Sequence, residues 1–242
     1  TVSRAQGNTV RARRKDEAAR NGAGVEMTAQ IDAYCERLGP GLWAEPVNLL
    51  SNLAFIAVAV WLWPRVAGLP RGRALVALLF AIGVGSGLWH AVARPWAGLV
   101  DVLAIAGFVL VYIHAAHRDY WDLGPGPAWA ATLATLPVLG AGAWGAAQVP
   151  GLAVSAGYWP VVALIAGHAL GLRRRLPEVA RGLGRGSALL VLSITLRSVD
   201  HALCAAVPMG THFAWHLLNA ALLGLMIWVY RRHMLAGRAA RR

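Results

Sequence analysis

Charge is scarce in this chain. Only 14% of its 242 residues are Asp, Glu, Lys or Arg, whereas 57% are hydrophobic and the mean hydropathy is +0.51. A soluble globular domain carries about 25% charged residues, so that class is excluded and a polytopic membrane protein is expected. Polar stretches long enough for a second, soluble domain are also missing. Acidic residues number 11 against 23 basic ones, giving a net charge of +12. Such a balance would suit a nucleic-acid partner if it were clustered, but it is spread over alternate loops and no nucleic-acid role is expected. Cysteine is limited to Cys35 and Cys204.

What is present in abundance is apolar runs. A helix needs roughly 20 apolar residues to cross the hydrocarbon core, and seven segments approach that length, at about 46–63, 74–93, 97–116, 127–147, 155–172, 187–206 and 211–230. Their glycines and prolines are tolerated in membrane helices. The expectation is an all-α, seven-transmembrane helix bundle spanning residues 27–235.

Arginine gives the bundle a direction. Arg65, Arg71 and Arg73 follow the first segment, Arg118 the third, and Arg173, Arg174, Arg175, Arg181 and Arg185 the fifth, while Arg231, Arg232, Arg238, Arg241 and Arg242 close the chain. The intervening loops carry little positive charge beyond Arg94. The positive-inside rule then puts the C-terminus and a basic tail, 236–242, in the cytoplasm and the start of the first span outside. The basic loops are expected to meet anionic lipid headgroups. Residues 1–26 are polar and basic, lack the apolar core of a signal peptide, and conflict with an outside location. They are read as a disordered basic extension, not a native part of the fold.

Cys35 precedes the first span and Cys204 lies near the end of the sixth, so both fall at the outer face. A disulfide there would tie the N-terminal segment to the bundle; two buried, unlinked thiols are the alternative.

Polar residues inside spans are costly and call for a partner or a function. Ser86 and His90 lie near the outer end of the second span, Asp101 near the outer start of the third, and His212 and His216 at the opening of the seventh. Residues four apart share a helix face, so these three helices present Ser and His, then Asp, then two His at one depth. Two histidines at i and i+4 with a third from elsewhere supply the three nitrogen ligands of an open zinc site. Serine in a membrane helix also serves simple packing. Single histidines such as His114, His117, His168, His201 and His233 are expected to be structural. Arg197 and Asp200 are three apart and expected either to neutralise one another or, for Asp200, to support a metal ligand.

The residues SGLWH at 86–90, Asp101, THFAWH ending at His216, and YCERLGPGLWAEPVNLLSN ahead of and into the first span resemble the alkaline ceramidases and their bacterial relatives. These are seven-helix membrane hydrolases of the superfamily that includes the adiponectin receptors. The resemblance covers residues 27–235. It implies zinc on His90, His212 and His216, with Asp101 as general base and Ser86 as a hydrogen-bond donor to the reacting centre. It also implies a disulfide between Cys35 and Cys204. A calcium site formed by Asp32, Glu36 and Glu45 is a further implication, although Leu38 stands where the family has an asparagine ligand; Glu45 alternatively caps the first helix or pairs with Arg37.

The expected activity is zinc-dependent hydrolysis of a linear amide, the N-acyl bond of ceramide or a ceramide-like lipid drawn from the bilayer. The composition looks bacterial. That puts the active site toward the periplasmic leaflet of an inner membrane and admits other acylated amines or amino-acid lipids as substrates. The alternative is a seven-helix receptor or sensor with a structural zinc. A transporter would place polar groups in both leaflets, and the inner half of the spans reads as nearly free of them.

Overall fold

The computed structural model describes residues 26–239, which are helical and contain no strand. The expectation for the extension at 1–26 lies, Glu26 apart, outside the described residues. Among the described residues, six helical stretches are long and apolar enough to cross a membrane. The first is Pro46–Val66, made of α1 (Pro46–Ser51), α2 (Leu53–Leu62) and a 3-10 turn (Trp63–Val66). Its break falls at Asn52, whose side chain bonds the Asn48 carbonyl at 2.8 Å. Next come α3 (Pro70–Val92), α4 (Pro95–Ala115) running into a π turn (Ala116–Tyr120), and α5 (Pro125–Ala147). The remaining helices are α6 (Trp159–Leu172), α7 (Pro177–Ser198), the short α8 (Asp200–Leu203) and α9 (His212–Ala239).

Proline opens most of these helices. It sits in the first turn of α1, α3, α4, α5, α6 and α7, where its missing N–H costs nothing because that donor has no intrahelical partner. Three elements differ from the sequence expectation, one being the seventh segment, which continues as α9 from His212 to Ala239 instead of ending near 230. The fifth apolar segment yields the 14-residue α6, shorter than a full span. The sixth begins at Pro177 and ends at Ser198 instead of covering 187–206. Arg181 and Arg185 therefore stand on α7 and not in a loop, a placement helices accept near their ends because long cationic side chains reach back to the polar interface.

Consecutive helices pack side by side from α2 through α7, and α9 returns against α2, α3 and α7, closing a ring. The core runs along the ring axis through Phe55, Leu79, Phe108, Leu190, Ile194 and Ile227, each at most 3% exposed. Large hydrophobics such as Trp144, Val138 and Leu170 are instead exposed on the outside, the inverse of a soluble surface and the arrangement expected of a face that meets lipid.

The arginine-rich end is less bare of polar groups than the sequence suggested. Arg71 forms a two-pronged ion pair with Asp119 at 2.8 and 2.7 Å, and Tyr230 donates to the same carboxylate at 2.9 Å. The five expected structural histidines have local roles. His117 meets Thr132, His168 accepts from Trp121, His201 meets the Ala33 carbonyl, His233 meets the Asp119 carbonyl, and His114 stacks on Trp129.

Candidate metal centre

At the other end of the ring, α3 presents Ser86 and His90 one turn apart, and the α3–α4 turn folds Asp101 back beside them. Gly85 sets how close α4 comes. A Cβ built on it would stand 3.2 Å from Asp101 Cα and 3.3 Å from Asp101 N, tighter than ordinary packing. His212 and His216 occupy the first turns of α9, whose start is fixed from outside the helix. Asp200 Oδ1 accepts the Thr211 and His212 N–H groups at 2.6 and 3.0 Å, and Oδ2 accepts the Cys35 N–H at 3.0 Å. Gly210 precedes this cap with φ +67°, and a Cβ there would run into the Asp200 carboxylate and lie 3.0 Å from Cys35 Cβ. Cys35 is joined to Cys204 by a disulfide, so the N-terminal segment, α8 and the start of α9 form one unit.

The three histidines are 0, 2 and 1% exposed at positions 90, 212 and 216. One ring nitrogen from each lies within 4.8 Å of the others, so the group can hold a metal ion. Hydrogen bonding assigns the protons on two of the rings. Glu45 Oε2 stands 2.6 Å from His90 Nδ1. Burial would raise the Glu45 carboxyl, but the hydrogen bond and charge attraction of His90, with hydrogen bonds from Arg37 and Asn48, outweigh it and hold the group below its ordinary range. The carboxylate can only accept, so His90 Nδ1 carries the proton. Ser51 donates its hydroxyl to the Asn48 carbonyl at 2.8 Å and must therefore accept from His216 Nδ1, 2.7 Å away. When both rings are neutral, their Nε2 atoms bear the lone pairs, and these atoms face each other at 3.1 Å. Two such lone pairs repel unless a cation stands between them, and this pattern of Nδ1–H anchored and Nε2 free is that of metal-ligating histidine. His212 adds a buried Nδ1 with no hydrogen-bond partner.

Tyr34 covers the group from above. Its ring stacks on His212 with centroids 3.7 Å apart and tilts against His90 at 5.2 Å. Burial, against the pull of Arg197, raises its phenol, so it stays neutral. The sequence singles out neither Tyr34 nor Ser51, and for Glu45 it offers the pairing with Arg37 that the structure shows but not the contact with His90. Only its place next to the cysteine could have marked Tyr34.

Ser86, Asp101 and His216 line the head of one cavity of about 100 Å³. Asp101 Oδ1 is buried there without a hydrogen-bond partner, an arrangement that costs free energy and is characteristic of functional sites. Beyond these groups the walls are mostly apolar, with Phe55, Ile105, Phe108 and Leu190 joined by Asn219, Tyr112 and Tyr158, and they extend to Ala116 and His168. From Asp101 to Ala116 the cavity follows α4 for about 22 Å at 1.5 Å per residue. It is long, narrow and polar at its head.

Other expected groupings do not form. Among the described residues Asp32, Glu36 and Glu45 do not form a cluster of potential metal ligands. Glu36 instead caps α1, accepting the Val47 and Asn48 N–H groups at 2.6 and 2.8 Å. Glu45 is committed to Arg37 at 2.5 Å and to His90. Calcium therefore finds no support. Cys35, Cys204 and His201 also come together, but with both sulfurs in the disulfide there is no thiolate to bind a metal. Arg197 does not pair with Asp200. It donates to the Val154 carbonyl and Ser155 at 2.7 and 3.1 Å and lies over the rings of Tyr158 and Trp215.

No protein-family model matches the chain, and no curated protein matches it.

Proposed function

We propose that the protein is a zinc-dependent intramembrane amidase that hydrolyses the N-acyl bond of ceramide or a ceramide-like lipid, as the resemblance to the alkaline ceramidases implies. What carries the reading is the facing pair of Nε2 atoms on His90 and His216, 3.1 Å apart, with His212 alongside and the unpaired Oδ1 of Asp101 at the head of a largely apolar cavity. A set of three neutral imidazoles is the donor chemistry of catalytic zinc. When bound, zinc supplies the Lewis acidity that makes water nucleophilic near neutral pH and polarises a carbonyl.

The chain's own groups do the rest. The cavity takes the acyl chain and leaves the amide at its head. Asp101 orients the attacking water, accepts its proton and delivers it to the departing amine nitrogen. Ser86 donates a hydrogen bond to the oxygen that gains charge. Glu45 and Ser51 hold the ring orientations of His90 and His216. Together with α6 the six long helices form a seven-helix membrane bundle. Its arginine-rich end is cytoplasmic, and the metal centre lies in the outer leaflet, the periplasmic one of a bacterial inner membrane.

The test is metal analysis of purified protein together with fatty-acid release from a panel of N-acyl lipids, with and without chelator. One zinc per chain and chelator-sensitive release are expected. Zinc with no turnover of any amide would favour a receptor with a structural metal, and absence of a tightly bound metal would end both readings.

A further inference from the structure

A second pocket lies at the arginine-rich end, between α7 and α9, and encloses about 570 Å³. Its rim is mainly basic, with Glu178 and His233 also lining it, and its wall is apolar. Arg175, Arg181, Arg185 and Arg232 surround it, while Leu225, Trp228 and Val229 line it below. Of these arginines only Arg181 has an acidic partner among the described residues, Glu178 on the exposed surface. Arg175, Arg185 and Arg232 form no ion pair there, so three uncompensated guanidinium groups border one apolar slot.

A soluble anion would leave the apolar wall without a purpose, and a neutral hydrocarbon would leave the guanidinium groups without one. We propose that this groove binds one anionic phospholipid, with its phosphate among Arg175, Arg185 and Arg232 and an acyl chain against Leu225, Trp228 and Val229. Guanidinium matches phosphate geometrically as well as electrically, and basic pockets between membrane helices are suited to lipid headgroups.

Neighbouring residues place the groove at headgroup depth. Trp228 carries the Arg231 guanidinium 4.8 Å above its ring and stacks on Trp61 at 5.5 Å, and Arg65 lies 4.3 Å over Trp61. Alternating tryptophan and arginine at the end of apolar helices is the pattern of a membrane–water interface. The site is remote from the histidine cluster, and the proposal does not depend on the amidase reading.

The experiment is thermal unfolding of the full-length protein in detergent with added phosphatidylglycerol, phosphatidylcholine or glycerol phosphate. Phosphatidylglycerol is expected to raise the Tm over phosphatidylcholine by on the order of 5 °C near saturation, and glycerol phosphate to have little effect. In the R175Q/R185Q/R232Q variant the Tm in phosphatidylcholine should hold and the phosphatidylglycerol increment should vanish. Should the triple variant fold poorly, R185Q and R232Q singly are each expected to reduce the increment. The R65Q/R73Q variant removes the same kind of charge outside the groove and should retain it. An undiminished increment in the groove variants, its equal loss in R65Q/R73Q, or an equal response to glycerol phosphate would overturn the proposal.

Discussion

Glu45 Oε2 lies 2.6 Å from His90 Nδ1, while its other oxygen holds Arg37 at 2.5 Å. Arg37 in turn donates to the backbone carbonyl of His90 at 2.7 Å. One carboxylate and one guanidinium thus fix both the ring and the backbone of a single metal-ligand candidate, from a segment that precedes the first long helix.

Replacing Glu45 with Gln keeps the side chain's size and removes its charge. The His90 ring loses its strongest acceptor and Arg37 is left buried without a counter-charge. Metal affinity is expected to fall about 10- to 100-fold, the usual effect of losing such a supporting carboxylate. Competition with a chromophoric chelator measures this directly, and unchanged affinity would show that Glu45 does not support a ligand.

Asp101 should separate chemistry from metal binding. Asp101→Asn leaves the three histidines intact and cannot act as a general base, so zinc content should match the wild type while fatty-acid release falls about 10²- to 10⁴-fold. Elemental analysis and a single-substrate assay on the same preparation check both parts. Loss of metal in this variant would instead make Asp101 a ligand.

Gly85 governs where that carboxylate stands. An alanine Cβ would press on the Asp101 backbone at 3.2–3.3 Å, and overpacking of this kind typically costs about 1–3 kcal/mol. Gly85→Ala is therefore expected to lower the Tm and, because α4 must shift, to lower kcat with metal content retained. Gly140, which has nothing within 4 Å of its added Cβ, is the matched control and should accept alanine without either effect.

Apolar length and residue spacing carried most of the architecture. The i, i+4 pairs Ser86/His90 and His212/His216 were legible because one helical turn places such residues on one face whatever surrounds them. The start of α7 was not, since Arg181 and Arg185 read as loop residues when only hydropathy is weighed. The contacts of Glu45 and Ser51 with the histidines escaped for a different reason. Their partners lie 45 and 165 residues away, and no local periodicity reports a contact at that separation. Asp200 looked like the natural partner of Arg197 by spacing, yet the backbone N–H groups of Cys35, Thr211 and His212 had a stronger claim on it, because a helix start without acceptors leaves buried donors unmet.

The disulfide joins the same elements covalently. It closes a separation of 169 residues, and through Cys35 it holds Tyr34 on His212 and the Cys35 N–H on Asp200. The double variant Cys35→Ser, Cys204→Ser frees the segment ahead of α1 from α8. A bridge over a loop of this length typically contributes about 2–5 kcal/mol, so the Tm should drop measurably. The local consequence is the sharper one. With Asp200 and Tyr34 less constrained, the start of α9 loosens where His212 and His216 are presented, and metal affinity should fall together with stability. Asp200→Asn provides the comparison, since it weakens the cap while leaving the disulfide in place. If the serine variant loses stability but binds metal as the wild type does, the bridge serves the fold alone, and Asp200 by itself is sufficient to hold the histidines in position.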